Sequence, residues 1–294
     1  MAGRFGSVIC AMVTPFGPSG ELDLDGAARL ARWLTDNGND GLVVAGTTGE
    51  GAVLSDTEKL DLFRAVRESV TVPVIASTGS ASTHHTVELT KAAALAGADA
   101  VLVVTPYYNR PSQAGIEAHM RAVAAASRLP VVAYDIPKRT GRAVAPATLL
   151  KLAREGVLAA VKDAAGSPAQ TAALLARAPA GFEVYSGDDA LTLPLLAVGA
   201  VGVISVASHW AGRVFEEMIA TFHKGDTERA AGLNRRLIES YEFETSDDAP
   251  NPVPTKAMLR VLGLPSGQCR LPMGPEPPGL EQRAREVWQK LRSA

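Results

Sequence analysis

The stretch Gly156-Val-Leu-Ala-Ala-Val-Lys-Asp163 combines an apolar run with a lysine at its end. Residues 157–161 have the length and composition of a strand that is covered on both faces. A lysine at the end of such a strand is unusual, because an unpaired ammonium group is costly to bury. If the strands close into a parallel barrel, Lys162 lies at their carboxyl ends, where these barrels carry their active sites.

Lys162 is therefore a candidate nucleophile. An amine held away from water loses its proton more readily, and the neutral amine can attack a carbonyl carbon to form a Schiff base. The alternative is that the lysine side chain passes the end of the strand and reaches solvent. The rest of the chain decides between these two interpretations.

The strand pattern around this stretch repeats along the chain. Helical segments stop at glycines such as Gly38, Gly97 and Gly199, and a short apolar run follows each of them. The eight predicted strands are residues 7–12, 41–45, 72–77, 100–104, 129–134, 157–162, 182–186 and 202–205. The eight predicted helices between and after them are residues 24–37, 55–70, 82–96, 112–127, 145–154, 168–177, 189–198 and 212–223.

This alternation predicts an α/β fold, a (β/α)8 TIM barrel, over residues 1–225. An open doubly wound sheet is the alternative, but no G-x-G-x-x-G fingerprint follows a strand in this sequence. Residues 226–294 predict a C-terminal helical extension, with helices at 226–242, 255–262 and 280–292. Because this extension is too small for an independent enzyme domain, we expect it to pack on the barrel or on a neighbouring subunit.

Composition argues against several classes of protein. The chain has 294 residues, of which 47% are hydrophobic and 20% charged, so it can bury a large core. Its formal net charge is -2 without a long run of one sign, so nothing favours nucleic acid or an acidic membrane as a partner.

The cysteines and the N-terminus predict a cytoplasmic protein. Cys10 and Cys269 lie far apart without metal-ligand spacing, and we expect them to be free thiols. The first residues lack the apolar run of a signal peptide, and no apolar segment is long enough to span a bilayer.

Distinctive residues follow the predicted strands. After the second strand, Gly46-Thr-Thr-Gly-Glu50 suits a tight loop whose backbone N–H groups face a small anion such as a carboxylate, although the glycines alone fit a plain turn. After the fifth strand, the run from Tyr134 to Gly141 offers a tyrosine for proton transfer and an arginine, Arg139, for binding a carboxylate.

Two further motifs complete the set. After the fourth strand comes Thr105-Pro-Tyr-Tyr-Asn-Arg-Pro111, with two adjacent tyrosines in a chain that has five. After the seventh strand comes Ser186-Gly-Asp-Asp189, in which we expect one aspartate to cap the next helix.

In this order and spacing, the motifs G-T-T-G-E, P-Y-Y-N-R-P, Y-D-I-P-x-R-T-G, V-K-D and S-G-D-D resemble the dihydrodipicolinate synthase family. That family belongs to the pyruvate-dependent class I aldolases, which include N-acetylneuraminate lyase. The resemblance extends over nearly the whole chain, from Ala11-Met-Val-Thr-Pro15 to Asn251-Pro-Val-Pro254. It implies condensation of pyruvate with L-aspartate 4-semialdehyde to 4-hydroxy-tetrahydrodipicolinate, a lyase reaction of lysine and diaminopimelate biosynthesis.

The resemblance also implies roles for matching residues. Lys162 is expected to form the Schiff base with pyruvate, and Tyr134, Thr47 and Tyr108 are expected to relay protons. Tyr108 is expected to reach in from a neighbouring subunit across the tight interface of a homotetramer built as a dimer of dimers. This chemistry requires neither a metal nor an organic cofactor.

The remaining implied roles concern substrate binding. Thr48 and Gly49, together with the neighbouring Thr47, are expected to hold the pyruvate carboxylate. Arg139 is expected to bind the carboxylate of the second substrate, and Ile204 to line the pocket with its main chain.

The sequence departs from the family pattern at several positions. Gly51 stands where the family usually has serine, and Lys138 stands where it usually has a small residue. We expect Lys138 to face solvent.

Lysine-regulated members carry asparagine and glutamate in the helix after the third strand and histidine in the helix after the second. The matching positions here are Ala81, His85, Asp56 and Lys59. His85 in place of the glutamate predicts weak or absent inhibition by lysine.

Two other functions remain open from the sequence. One is an aldolase that acts on a sugar-derived 2-keto acid, which would share Lys162 and Tyr134; sugar-acid lyases resembling this family typically lack the arginine at Arg139. The other is a barrel that has lost catalysis and serves in binding or regulation, for which a broken lysine, tyrosine or arginine would be the signature.

Overall fold

The computed structural model describes residues 3–293, and within them the chain forms eight strands and twelve helices. The strands are β1 Val8–Ala11, β2 Gly41–Val44, β3 Val74–Ser77, β4 Ala100–Val104, β5 Val131–Asp135, β6 Ala160–Asp163, β7 Glu183–Ser186 and β8 Gly202–Ser205. The helices are α1 Leu24–Asp36, α2 Asp56–Ser69, α3 Thr83–Leu95, α4 Gln113–Ala126, α5 Pro137–Thr140, α6 Pro146–Arg154, α7 Pro168–Leu175, α8 Thr192–Ala197, α9 Ser208–His223, α10 Thr227–Phe243, α11 Val253–Val261 and α12 Leu280–Ser293.

The strands close into one parallel barrel in chain order, β1 to β8, and β1 pairs with β8. The register aligns Tyr134 of β5 with Lys162 of β6, and Lys162 with Tyr185 of β7. The (β/α)8 TIM barrel predicted from the sequence is therefore confirmed. All the strand ends that carry the sequence motifs meet at one face of the barrel.

Apolar side chains fill three regions. Inward-facing residues such as Ile9, Val43 and Ile204 pack inside the barrel. A larger cluster, including Leu30 and Phe63, fills the space between the strands and the surrounding helices. The third cluster joins α9 to the C-terminal helices around Phe215.

Several elements differ from the sequence predictions. Strand β6 begins at Ala160 rather than at residue 157, because the Val157 N–H bonds back to the Leu152 carbonyl at the end of α6. Helix α9 begins at Ser208 rather than at residue 212, directly after β8. Helix α5 was not predicted, because its four residues are too few to show a helical period.

The C-terminal segment packs over the loop that follows β2. Lys256 of α11 forms a buried ion pair with Glu50, with Nζ 2.6 Å from Oε1. The Arg270 backbone N–H donates to the other Glu50 oxygen at 2.8 Å, and its guanidinium pairs with Glu58 at 2.5 Å. The extension therefore supports the barrel face that carries the motifs. Among residues 3–293, no helix is long and apolar enough to cross a membrane.

Candidate active site

Lys162 lies inside the barrel rather than in solvent. It is the penultimate residue of β6, its residue surface is 5% exposed, and Ala160 two positions earlier faces the barrel interior. Its Nζ lies 4.4 Å from the centre of the Tyr134 ring. Burial lowers the pKa of Lys162 to about 8, although nearby carboxyl groups oppose that effect. About a tenth of the amine is therefore neutral at pH 7, far more than for an ordinary lysine, and the neutral form is the one that can attack.

Tyr134 is the buried partner of Lys162 on the adjacent strand. Burial raises the pKa of Tyr134 to about 12, and the nearby Arg139 charge and Thr47 side chain oppose that rise. The phenol therefore keeps its proton at neutral pH and can donate it to a group near Lys162. Thr47, Tyr134, Arg139 and Lys162 converge at one end of the barrel.

The loop after β2 is held by bonds to its own backbone and to distant segments. The Gly51 N–H donates to the Gly46 carbonyl at 2.9 Å, and the Thr14 hydroxyl donates to the Gly49 carbonyl at 2.6 Å. Thr47 is exposed, whereas Thr48 is buried. The Thr48 hydroxyl accepts a hydrogen bond from the Asn251 amide at 2.9 Å.

Gly51, the departure from the family pattern, has a structural reason in this loop. A Cβ atom at Gly51 would lie 2.0 Å from the Ala45 carbonyl oxygen, which is a collision. The backbone at Ala45 and at Glu50 in the same loop has positive φ values of 54°. A serine at this position would require the loop to shift. The loop conformation and the glycine are therefore matched to each other.

Arg139 projects from α5, which follows β5 directly. This short helix begins with Pro137 and ends at Gly141, whose φ of 72° is left-handed. The Arg139 side chain is exposed, and its charge acts on both Tyr134 and Lys162. The neighbouring Lys138 is also exposed, as the sequence predicts.

Strands β7 and β8 follow β6 in the barrel and contribute residues near Lys162 and in the barrel interior. Ile204 is buried in the barrel interior and pairs with Ile9 across the closing strands. Gly187 packs so closely on Lys162 that a Cβ there would lie 2.9 Å from the lysine Cγ. Asp188 accepts a hydrogen bond from the Ala190 N–H at 3.1 Å and caps the short 3₁₀ turn that follows β7.

Tyr108 is not brought to the other candidate residues within one chain. It is 94% exposed and has a left-handed backbone with φ of 70°. A tyrosine in that conformation is strained, so the surrounding loop must hold it there. The Asn109 amide donates to the Ala81 carbonyl at 3.0 Å, and Arg110 Nε donates to the Gly141 carbonyl at 2.8 Å, which together fix this loop.

Three residues near the site were missed from the sequence. Asn251 bonds to Thr48, and Asp189 and Glu244 act electrostatically on Lys162. The S-G-D-D motif contained Asp189 and the N-P-V-P motif contained Asn251, but neither motif indicated these contacts. Glu244 had no motif of its own.

Comparisons with known proteins agree with this geometry. A sequence model described as the Dihydrodipicolinate synthetase family matches residues 4–290. A relative from Moorella thermoacetica, named 4-hydroxy-tetrahydrodipicolinate synthase, is 51% identical over 274 residues, which are 92% of this chain and 92% of the relative.

Solved structures of dihydrodipicolinate synthases have the same fold as this chain. Dihydrodipicolinate synthase from Bacillus anthracis superposes with a TM-score of 0.94 at 41% identity, over 98% of each chain. A DHDPS from Cyanidioschyzon merolae with lysine bound superposes with a TM-score of 0.95 at 43% identity, over 99% of this chain and 100% of that one.

Proposed function

The chain belongs to the dihydrodipicolinate synthetase family, and we propose that it condenses pyruvate with L-aspartate 4-semialdehyde through a Schiff base on Lys162. The product is 4-hydroxy-tetrahydrodipicolinate, so the enzyme is a lyase of lysine and diaminopimelate biosynthesis. The observation that carries the choice of nucleophile is the buried Lys162 amine beside Tyr134, with its lowered pKa of about 8. The curated relative reported above carries the synthase name rather than that of a sugar-acid lyase, which favours this substrate pair.

The first half of the reaction activates pyruvate. The neutral Lys162 amine attacks the keto carbon, water leaves, and a cationic iminium forms. The iminium withdraws electrons, so a proton leaves the pyruvate methyl group and an enamine results. In our proposal Thr47, Thr48 and Gly49 hold the pyruvate carboxylate, while Ile204 lines the pocket with its main chain.

The second half joins the two substrates. The enamine carbon attacks the aldehyde carbon of L-aspartate 4-semialdehyde, and the aldehyde oxygen takes up a proton. The amino group of the adduct then attacks the imine carbon, which closes the ring and releases Lys162. Arg139 binds the carboxylate of this substrate, because a guanidinium can donate two parallel hydrogen bonds to it.

Each step moves a proton, and a chain of hydroxyl groups next to Lys162 can carry protons to and from the substrate. We assign this relay to Tyr134, Thr47 and Tyr108. Since Tyr108 is 94% exposed in one chain, it completes the relay only in the site of a neighbouring copy. A homodimer is therefore the smallest active unit in our proposal, and a homotetramer built as a dimer of dimers is the expected assembly.

The division of the chain follows from these roles. Residues 1–225 form the catalytic barrel, and residues 226–294 form the extension that supports its active face through Asn251 and Lys256. Cys10 and Cys269 are free thiols, which supports a cytoplasmic location.

Inhibition by lysine is proposed to be weak or absent. The relative from Cyanidioschyzon merolae has lysine bound, so lysine recognition occurs within the family. In this chain His85 replaces the expected glutamate and lies 2.8 Å from Asp56, while Lys59 lies 3.7 Å from the same carboxylate. The Asp56 carboxylate is thus already shared by two basic side chains, which leaves less negative charge for a lysine ammonium.

Reductive trapping tests the nucleophile directly. Borohydride reduces the iminium to a stable secondary amine, so incubation with pyruvate and borohydride should add one pyruvate-derived group to Lys162. Mass spectrometry of the digested protein locates that group. Trapping on a different lysine, or equal trapping in Lys162→Ala, would overturn the assignment.

A further inference from the structure

A buried carboxyl group that the proposed reaction does not use acts electrostatically on Lys162. Asp189 follows β7, is 2% exposed, and anchors the segment after β8. Its Oδ2 accepts hydrogen bonds from the Val206 N–H at 2.9 Å and the Ala207 N–H at 2.8 Å. Within the described part of the chain, its other oxygen, Oδ1, is buried without a hydrogen-bond donor.

A second carboxyl group, from the C-terminal extension, lies against Asp189. Glu244 caps the end of α10, and its side chain contacts that of Asp189. The residue is half-buried as a whole, but its Oε2 is shielded from solvent and, among residues 3–293, has no donor. Two buried carboxyl oxygens without a donor at the same place are unusual, since buried polar atoms are nearly always hydrogen-bonded.

A single proton shared between Asp189 and Glu244 would give both buried oxygens a hydrogen bond. Ionised carboxyl oxygens are acceptors only, so two facing carboxylates leave both oxygens unsatisfied and repel each other. If one group carries a proton, it donates to the other, and both oxygens are satisfied. Burial and the Asp189 charge raise the pKa of Glu244 well above its ordinary value, which agrees with a proton held between them.

The groups around Asp189 and Glu244 determine which charges act on Lys162. The charged or titratable groups that act on Lys162 are Asp189, Glu244, Cys10 and Arg139. The groups that act on the carboxyl pair from the packed elements are Asp188, Lys162, Tyr241, Cys10 and His209. Burial raises the pKa of Cys10 and of Tyr241 far above neutrality, so both stay uncharged.

His209 is uncharged as well. Its Nε2 accepts the Val13 N–H at 3.0 Å, which places the ring proton on Nδ1, 2.7 Å from the Val206 carbonyl. Burial lowers the pKa of His209 to about 4. The carboxyl pair is therefore the main negative charge beside the lysine in the barrel interior.

We propose that Asp189 and Glu244 share one proton and form a single buried anion that balances the cationic iminium formed on Lys162. The proposal rests on the function proposed above, because it requires Lys162 to be the nucleophile. Among these groups, a neutral pair would leave the iminium cation only the pyruvate carboxylate, held by residues 47–49, as a counter-charge. A pair with two charges would hold the lysine protonated and prevent its attack.

The test uses isosteric variants of the full-length enzyme and borohydride trapping of pyruvate alone. In Asp189→Asn, the amide donates to Glu244, which then ionises; in Glu244→Gln, the amide donates to ionised Asp189. Each single variant therefore keeps one negative charge, and the double variant keeps none. Glu242→Gln, an exposed carboxylate near the same helix end, is the matched control.

The predicted signature is strong non-additivity between the two substitutions. Each single variant should match the wild-type half-saturating pyruvate concentration and its pH profile of trapping within about threefold. The half-saturating pyruvate concentration of the double variant should be at least about tenfold higher. A tenfold change corresponds to about one pKa unit, which is the expected loss of stabilisation of the cation. A double variant equal to wild type, or single effects that simply add, would overturn the proposal.

Infrared spectroscopy gives a second readout that does not depend on how the double variant folds. The wild-type enzyme should show the carbonyl stretch of a buried protonated carboxyl group at neutral pH, and each single variant should lack it. Its absence in the wild type would overturn the shared proton. If wild-type Lys162 is not trapped at all, the proposed nucleophile fails instead, so the two failures are distinguishable.

Discussion

Replacing Lys256 with methionine should destabilise the enzyme much more than breaking a surface ion pair. Lys256 and Glu50 form a salt bridge of 2.6 Å in which the side chains are 0% and 2% exposed. The lysine Nζ also donates to the Gln268 carbonyl at 3.1 Å and lies 4.1 Å from the centre of the Phe16 ring. Lys256→Met fills similar volume but removes the charge that faces Glu50.

The expected size follows from burial. Removing one partner of a buried ion pair leaves the other charge uncompensated, which costs about 3–5 kcal/mol. That loss is a large fraction of a typical unfolding free energy of about 5–15 kcal/mol. At about 2 °C per kcal/mol, the low end of the range for large domains, Tm should fall by about 6–10 °C.

The assay compares thermal unfolding of four proteins at one scan rate. Lys91→Met is the matched control, because Lys91 and Glu88 form a 2.8 Å ion pair with side chains 50% and 54% exposed. Exposed pairs contribute about 0–1 kcal/mol, so the control should change Tm by about 2 °C or less. The double variant Lys256→Met/Glu50→Gln should recover part of the loss, because no buried charge then remains unpaired.

The activity of the same variants tests the structural consequence. Glu50 ends the loop that contains Thr47 and Thr48, so loss of the pair should also raise KM for pyruvate. Equal Tm changes in Lys256→Met and Lys91→Met would refute the reasoning. A double variant no more stable than Lys256→Met would refute the claim that an uncompensated charge causes the loss.

Three further predictions concern catalysis and regulation. Trapping of pyruvate should accelerate as pH rises through about 8 and then level off, since only the neutral Lys162 amine attacks and its pKa is lowered to about 8; a plateau already reached near about pH 6 would contradict this. Tyr108→Phe should lower turnover by about a hundredfold or more while the assembly stays unchanged in solution, and unaltered turnover would remove Tyr108 from the relay. Millimolar L-lysine should inhibit weakly or not at all, because His85 and Lys59 already contact Asp56; half-inhibition at sub-millimolar lysine would exclude this interpretation.

The barrel was predictable because most strands have a sequence signal at one end or at both. A glycine that can end a helix precedes several of the short apolar runs, and distinctive polar residues follow most of them. The predicted start of β6 was wrong by three residues. Val157 and Leu158 pack against the core, but their N–H groups bond to the Leu152 carbonyl of α6 rather than to a neighbouring strand. An apolar run alone does not reveal which partner its backbone uses.

The site was predictable where its residues lie in motifs at strand ends. Lys162 and Tyr134 lie together inside the barrel, as the sequence suggested. The contacts of Glu244 with Asp189 and of Asn251 with Thr48 join segments far apart in the chain, so no local pattern could indicate them. The role of Tyr108 depends on a second copy of the chain and stays a prediction.

Turnover of pyruvate with L-aspartate 4-semialdehyde tests the central claim most directly. The product is detected by coupling to dihydrodipicolinate reductase, and Lys162→Ala is measured beside the wild type. We predict robust turnover in the wild type that disappears in Lys162→Ala. Turnover that persists in Lys162→Ala would contradict the assigned nucleophile. No turnover in a wild type that still traps pyruvate would contradict the assigned substrate and favour a sugar-derived 2-keto acid.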